Sequence, residues 1–200
     1  RTSYDKVGNV TGLTTPNGNA TSQGFDALDR LVSAVAPDTG TIAQSYDARD
    51  NLTSHTDPKS VTTQFVYNGF GDVIQEVSPD RGTNTYWYNA AGEMTQSQDG
   101  RGQTITYTRD WLGRVTSKAP SGLSAQTVTT TWDTGGLSGS YGVGRIGAIT
   151  DASGTTQFKY DHRGNLLVKQ QAIGTSSAAQ LVYAYDLADR VTDITYPSGR

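Results

Sequence analysis

The 200 residues contain no cysteine, which excludes disulfides and thiolate chemistry. Histidine is reduced to His55 and His162, and methionine to one residue. There is no basic run, and the net charge of −3 argues against a nucleic-acid partner, because phosphates are held by a basic surface. No apolar run approaches the roughly 20 residues that a bilayer requires, and nothing resembles a signal peptide. Apolar side chains are themselves scarce, at 34%. So lean a composition approaches that of disordered chains, but disorder also demands high net charge, and here charge is low and periodicity strong.

What the chain has instead is repetition, which is read before anything else. A frame of aromatic, Asp/Asn, two variable residues, Gly/Asp, a polar residue and an aliphatic begins at Tyr4, Phe25, Tyr46, Tyr67 and Tyr88, 21 residues apart each time. A sixth copy, "RDWLGRV", starts on schedule at Arg109 without its aromatic. Further copies start at Trp132, Tyr160 and Tyr185, at steps of 23, 28 and 25. The chain is thus expected to be one segment over 1–200 of about nine repeats, regular over 4–131 and irregular over 132–200. Both ends fall inside repeats, so flanking sequence is expected beyond them.

The frame has a local physical meaning. An Asp or Asn at the first turn position accepts backbone N–H groups, and a residue tolerant of positive φ at the fourth leads back into a strand, as in a hairpin with a G1-type bulge. The pairs that fill these positions are Asp5/Gly8, Asp26/Asp29, Asp47/Asp50, Asn68/Gly71, Asn89/Gly92, Asp110/Gly113, Asp161/Gly164 and Asp186/Asp189. Aspartate in the glycine column supports the turn, because Asp is among the few non-glycine residues that tolerate the left-handed region. Before the turn, residues alternate as in a strand (Thr63, Phe65, Tyr67), and after it the seventh column is apolar. A second punctuation, at Pro16, Pro37, Pro58, Pro79, Pro120 and Pro197, closes each repeat. The spacing predicts an all-β chain of tandem hairpins stacked into a coiling antiparallel sheet, a single thin layer rather than a sandwich.

Sharper readings compete poorly. Neither histidine sits in a complete catalytic constellation, and no enzyme is expected. "GVGRIG", Gly142 to Gly147, satisfies G-x-G-x-x-G but lacks the strand before it and the helix after it, so a flexible loop is expected. Recurrent carboxylates could suggest a calcium array or a glycosidase pair, yet each turn offers about one, already suited to its own backbone. Neither metal nor cofactor is expected. The sequons at Asn9, Asn19 and Asn51 follow from Asn before Thr-rich strands. Trp87, alternating with Tyr86 and Tyr88, is the best candidate for a glycan or surface contact.

"YDARDN", "YDHRGN" and "YDLADR", with their Pro-type second turns, resemble the YD repeats of Rhs proteins, found also in the B and C components of insecticidal toxin complexes and in teneurins. The resemblance runs from about Tyr4 to Arg200. It implies a wall segment of a hollow β-shell that encloses a C-terminal effector in a secreted or surface-delivered bacterial protein. The implied partners are the rest of the shell and that effector. Open strand edges add the prospect of self-association. A carbohydrate- or cell-surface-binding module is the alternative. No "PxxxxDPxG"-like ending occurs here, so self-cleavage is not carried over to any residue.

Overall fold

The computed structural model describes residues 1–37, 40–174 and 176–198. The middle of the Pro37 turn (Asp38, Thr39) and the Gly199–Arg200 end of the last repeat lie outside the described residues. The rest is strand and turn, apart from a single 3-10 turn at Ser124–Gln126. Among the described residues no helix is long and apolar enough to cross a membrane.

Contacts divide the chain into two units, Arg1–Gln103 and Thr104–Arg200. The first holds β1 (Thr2–Tyr4), β2 (Val10–Thr14), β3 (Ala20–Phe25), β4 (Leu31–Ala36), β5 (Gly40–Tyr46), β6 (Leu52–Thr56), β7 (Thr62–Tyr67), β8 (Val73–Ser78), β9 (Gly82–Tyr88) and β10 (Met94–Gln98). The second holds β11 (Thr104–Arg109), β12 (Val115–Pro120), β13 (Val128–Trp132), β14 (Ile146–Asp151), β15 (Gly154–Tyr160), β16 (Leu166–Ile173), β17 (Ala179–Tyr185) and β18 (Val191–Thr195). Within each unit every strand pairs antiparallel with its chain neighbours. The expected tandem hairpins are therefore present.

Two kinds of ladder alternate. Inside a hairpin the leading aromatic pairs with the seventh-column aliphatic, as Tyr46 with Leu52, and the register shifts immediately before it: Ser45 faces Ser54, so Thr53 is an extra residue. The same shift recurs at Tyr67, Tyr88, Tyr160 and Tyr185. Bulges of this kind raise local strand twist. Between hairpins the ladder carries no such shift, running in β6–β7 evenly from Ser54↔Gln64 to Thr56↔Thr62.

The layer is thin. Among the described residues the most enclosed side chains are Ser78, 5% exposed, and Ala148, 8% exposed, and no large side chain is fully buried. Alternation survives as half-burial: Phe65 and Tyr67 are partly covered while Gln64 and Val66, which alternate with them, are exposed. With so little apolar surface enclosed, hydrogen bonding and turn geometry carry an unusual share of the fold's specificity.

Candidate functional site

Each turn is a small carboxylate- or carboxamide-centred device. In "YDARDN", Asp47 Oδ1 accepts the backbone N–H groups of Arg49 (2.8 Å) and Asn51 (2.9 Å), while its other oxygen accepts Asn51 Nδ2 (2.9 Å). The Asp47 N–H donates to Asn51 O at 3.0 Å, closing the loop. Asp5, Asp26, Asp110, Asp161 and Asp186 receive the corresponding backbone N–H groups. Asn68 and Asn89 do the same with their amide oxygens. The fourth residue takes positive φ: 61° at Asp29, 67° at Asp50 and 61° at Asp189, with Gly8, Gly71, Gly92, Gly113 and Gly164 at 76° to 100°.

The fifth residue obeys a rule of complement. Where the turn begins with Asp, an acceptor only, the fifth residue is Asn or Arg and donates to it. Asn9, Arg30, Asn51, Arg114, Asn165 and Arg190 all do so, at 2.7–3.0 Å. Where it begins with Asn, the roles reverse: Asn68 Nδ2 donates to Asp72 and Asn89 Nδ2 to Glu93, both at 2.8 Å. Donation from the fifth residue holds the turn-heading Asp26 and Asp47 below the usual carboxylate range. For Asp47 the Asn51 side chain is the largest cause, and for Asp26 it is the Arg30 guanidinium. Among the described residues no group of three or more acids and histidines converges as a metal cage would.

Adjacent hairpins are joined by the leading aromatic. The β4–β5, β6–β7, β8–β9, β12–β13, β14–β15 and β16–β17 ladders stop two residues short of the seventh column. At these six junctions the aromatic of the following repeat donates to the seventh-column carbonyl, whereas Phe25, which leads the repeat after Val10, has no donor to offer. Tyr46 Oη donates to Leu31 O (3.0 Å), Tyr67 to Leu52 O (2.8 Å), Tyr88 to Val73 O (2.9 Å), Tyr160 to Ile146 O (3.1 Å) and Tyr185 to Leu166 O (2.9 Å). Trp132 does the same through Nε1 to Val115 O at 3.0 Å. At five junctions tyrosine thus serves through its hydroxyl as well as its ring. Tyr67→Phe or Tyr88→Phe should each cost about 0.5–1.5 kcal/mol, the usual net worth of such a bond, measurable by urea unfolding. Arginine at the fifth position adds a stacked cation: Arg30 lies 4.7 Å from the Tyr46 ring centroid and Arg114 4.9 Å from that of Trp132. Arg114 also pairs with Asp133 at 2.6 Å, and that guanidinium, with the Gly144 N–H, lowers the Asp133 carboxyl to about 2.

The stretch around "GVGRIG" is a turn of the same frame carrying an insertion. Asp133 N donates to Arg145 O (2.9 Å) and Trp132 faces Ile146, as Asp47 N to Asn51 O and Tyr46 to Leu52 elsewhere. Eleven residues, 134–144, stand where three do in "YDARDN". The expected flexible loop is instead tied down on β15: Leu137 N donates to Phe158 O (3.0 Å), Tyr141 N to Tyr160 O (3.0 Å), and Tyr160 N to Ser140 Oγ (3.0 Å). Its glycines run into a strand, so there is no helix N-terminus to hold a pyrophosphate.

Other residues fall as follows. His55 faces Gln44 at 3.5 Å across β5–β6, and His162 lies edge-on to Tyr141 at 6.2 Å. Tyr86 and Tyr88 are half-buried on one face, tied to Glu76 and Val73 of β8, whereas Trp87 on the other is 41% exposed. Sequence reasoning placed a turn at Pro58 without the role of Asp57, and missed the turn at Asp99. Asp57 and Asp99 build the same Asp-centred loop at the opposite end of their hairpins, with Oδ1 accepting from Lys59 and Val61, and from Arg101 and Gln103. The signal was present as "DPKSV" and "DGRGQ", masked by attention to the proline column.

Comparison with known proteins agrees with this construction. The RHS Repeat family model matches residues 4–41 and 46–83. By sequence, no curated protein matches the chain. Among solved structures, 99% of the chain superposes on a crystal structure of TcdB2-TccC3-Cdc42 and on one of TcdB2-TccC3, each with a TM-score of 0.70 at 14% identity. In a structure of the Photorhabdus luminescens Tc holotoxin pore the coverage is 98%, with a TM-score of 0.58 at 14% identity. The chain spans 13% of the length of these chains, and the likeness is one of fold.

Proposed function

We propose that this chain, built of Rhs/YD repeats, serves as a stretch of wall in a hollow β-shell that encloses an effector domain of a secreted or surface-delivered bacterial protein. The observation that carries the reading is the thinness of each unit: among the described residues no large side chain is fully buried, and successive hairpins within a unit share the same turn frame and, where the leading residue is tyrosine, the same tether. Such a layer has little interior of its own, and its repeating junctions let it be extended hairpin by hairpin. A barrier needs no more than that. Its partners in this role are the rest of the shell and the enclosed domain, with open strand edges available for self-association, and we assign no catalytic role to His55 or His162.

The test is protease protection in the longer protein that carries this segment. Its C-terminal domain should resist trypsin while the repeats are folded and become cleavable when Gly71→Val and Gly113→Val together loosen the wall. Equal digestion in the parent and in the variant would refute enclosure. The glycan-binding alternative draws on the exposure of Trp87 and of the turn-tip residues Phe70 (91%), Trp111 (90%) and Leu187 (94%). Glycan-array binding lost in Trp87→Ala would favour it.

A further inference from the structure

We propose that the fifth residue of each turn selects the fourth residue of the turn that follows, so that consecutive hairpins are matched by charge and hydrogen bonding as well as by shape. The need is physical. Backbone ladders are blind to sequence, and a slip by one whole repeat would leave every aromatic and aliphatic column in register. Discrimination among near-identical neighbours requires a contact that rewards the right one and penalises the wrong one.

Each fourth-position aspartate is grasped by the preceding turn. Asn9 Nδ2 donates to Asp29 at 2.9 Å, Arg30 Nη1 to Asp50 at 2.6 Å and Asn165 Nδ2 to Asp189 at 2.7 Å. In the repeat with the insertion, Arg114 reaches Asp133, the first residue of its turn rather than the fourth, which likewise stands at positive φ, 65°. Tolerance of the left-handed region accounts for Asp at these places but not for the donor always waiting beside it. The converse holds as well. Asp72 is the acidic fifth residue of its turn, and the next fourth position is Gly92, where an added Cβ would meet nothing within 4 Å. Space is not what keeps a side chain out; a carboxylate there would face another. Two junctions have a donor and no acid: Asn51 precedes Gly71, its Oδ1 3.8 Å from where a Cβ would stand, and Arg145 lies against Gly164. They are half-built clasps.

Thermal midpoints of Gly71→Asp, Gly71→Ala, Gly92→Asp and Gly92→Ala, taken at low salt, test the rule. Comparing Asp with Ala at one position removes the shared strain of positive φ. The Asp variant should exceed the Ala variant by about 2 °C more at position 71 than at position 92, on the usual scale for a chain of this size. In an Asp72→Asn background, where the new carboxamide can donate as that of Asn9 does, the difference at position 92 should rise to match that at 71. A difference at 92 equal to or larger than that at 71, or one unmoved by Asp72→Asn, would overturn the proposal.

Discussion

Gly147→Ala is expected to lower the unfolding free energy by about 1–3 kcal/mol, the range for forcing extra volume into a filled space. Gly147 lies in β14 directly beneath the 134–144 insertion. A methyl group there would overlap the carbonyl oxygen of Thr134 and stand 2.8 Å from the backbone nitrogen of Gly136. Both are main-chain atoms, so no side-chain rotation relieves the contact and the insertion has to lift. Lifting it breaks the bonds from Leu137 N to Phe158 O and from Tyr141 N to Tyr160 O, and draws Gly135 O away from Gln157 Nε2. Urea unfolding would report the loss, and amide exchange at Leu137 and Tyr141 should accelerate more than exchange in β16–β17. An unchanged midpoint with unchanged exchange would mean that the insertion is not seated on β15 as described.

The second large effect is expected from a β-branched residue at the fourth turn position. Gly71 stands at φ 92° and Gly113 at 78°, and valine at either should cost about 1–3 kcal/mol. The space is not the obstacle at Gly71, where an added Cβ has only Asn51 Oδ1 within 4 Å, at 3.8 Å. The obstacle is the backbone conformation, which brings a branched side chain against its own main chain. Asp29, Asp50 and Asp189 hold the same place at φ 61° to 67°, so size alone does not exclude a side chain. Denaturant midpoints of Gly71→Val and Gly113→Val decide the matter: if both match the parent, the left-handed turn is not what terminates these hairpins.

Much of this was legible in the residues, and the particular turns explain why. An Asp at the head of "YDARDN" completes its work within five consecutive positions, accepting from Arg49, Asn51 and the Asn51 side chain. A device that short leaves its whole signature in one line of sequence, and nine phased copies multiply the signal. The exchange of Asp with Asn/Arg for Asn with Asp/Glu was equally visible, at Asn68/Asp72 and Asn89/Glu93, although a column described only as polar concealed it. The insertion hid its frame because eleven residues separate Asp133 from Arg145, and nothing in "TGGLSGSYGVG" tells where the strand resumes.

Other features had no local trace. That Tyr67 needs its hydroxyl follows only from knowing that the β6–β7 ladder ends at Ser54↔Gln64, two residues before Leu52. The seating of the insertion on β15 and the division of contacts between Gln103 and Thr104 belong to the same class. The sequence by itself determined the turns, the strand alternation and the all-β class, because these depend on interactions among residues a few positions apart. Only the tertiary structure decided which carbonyl each tyrosine satisfies and which aspartate each fifth-position donor reaches. Those partners lie 14 to 24 residues away, and it is the end of a ladder, not the chain between, that brings them within hydrogen-bonding distance.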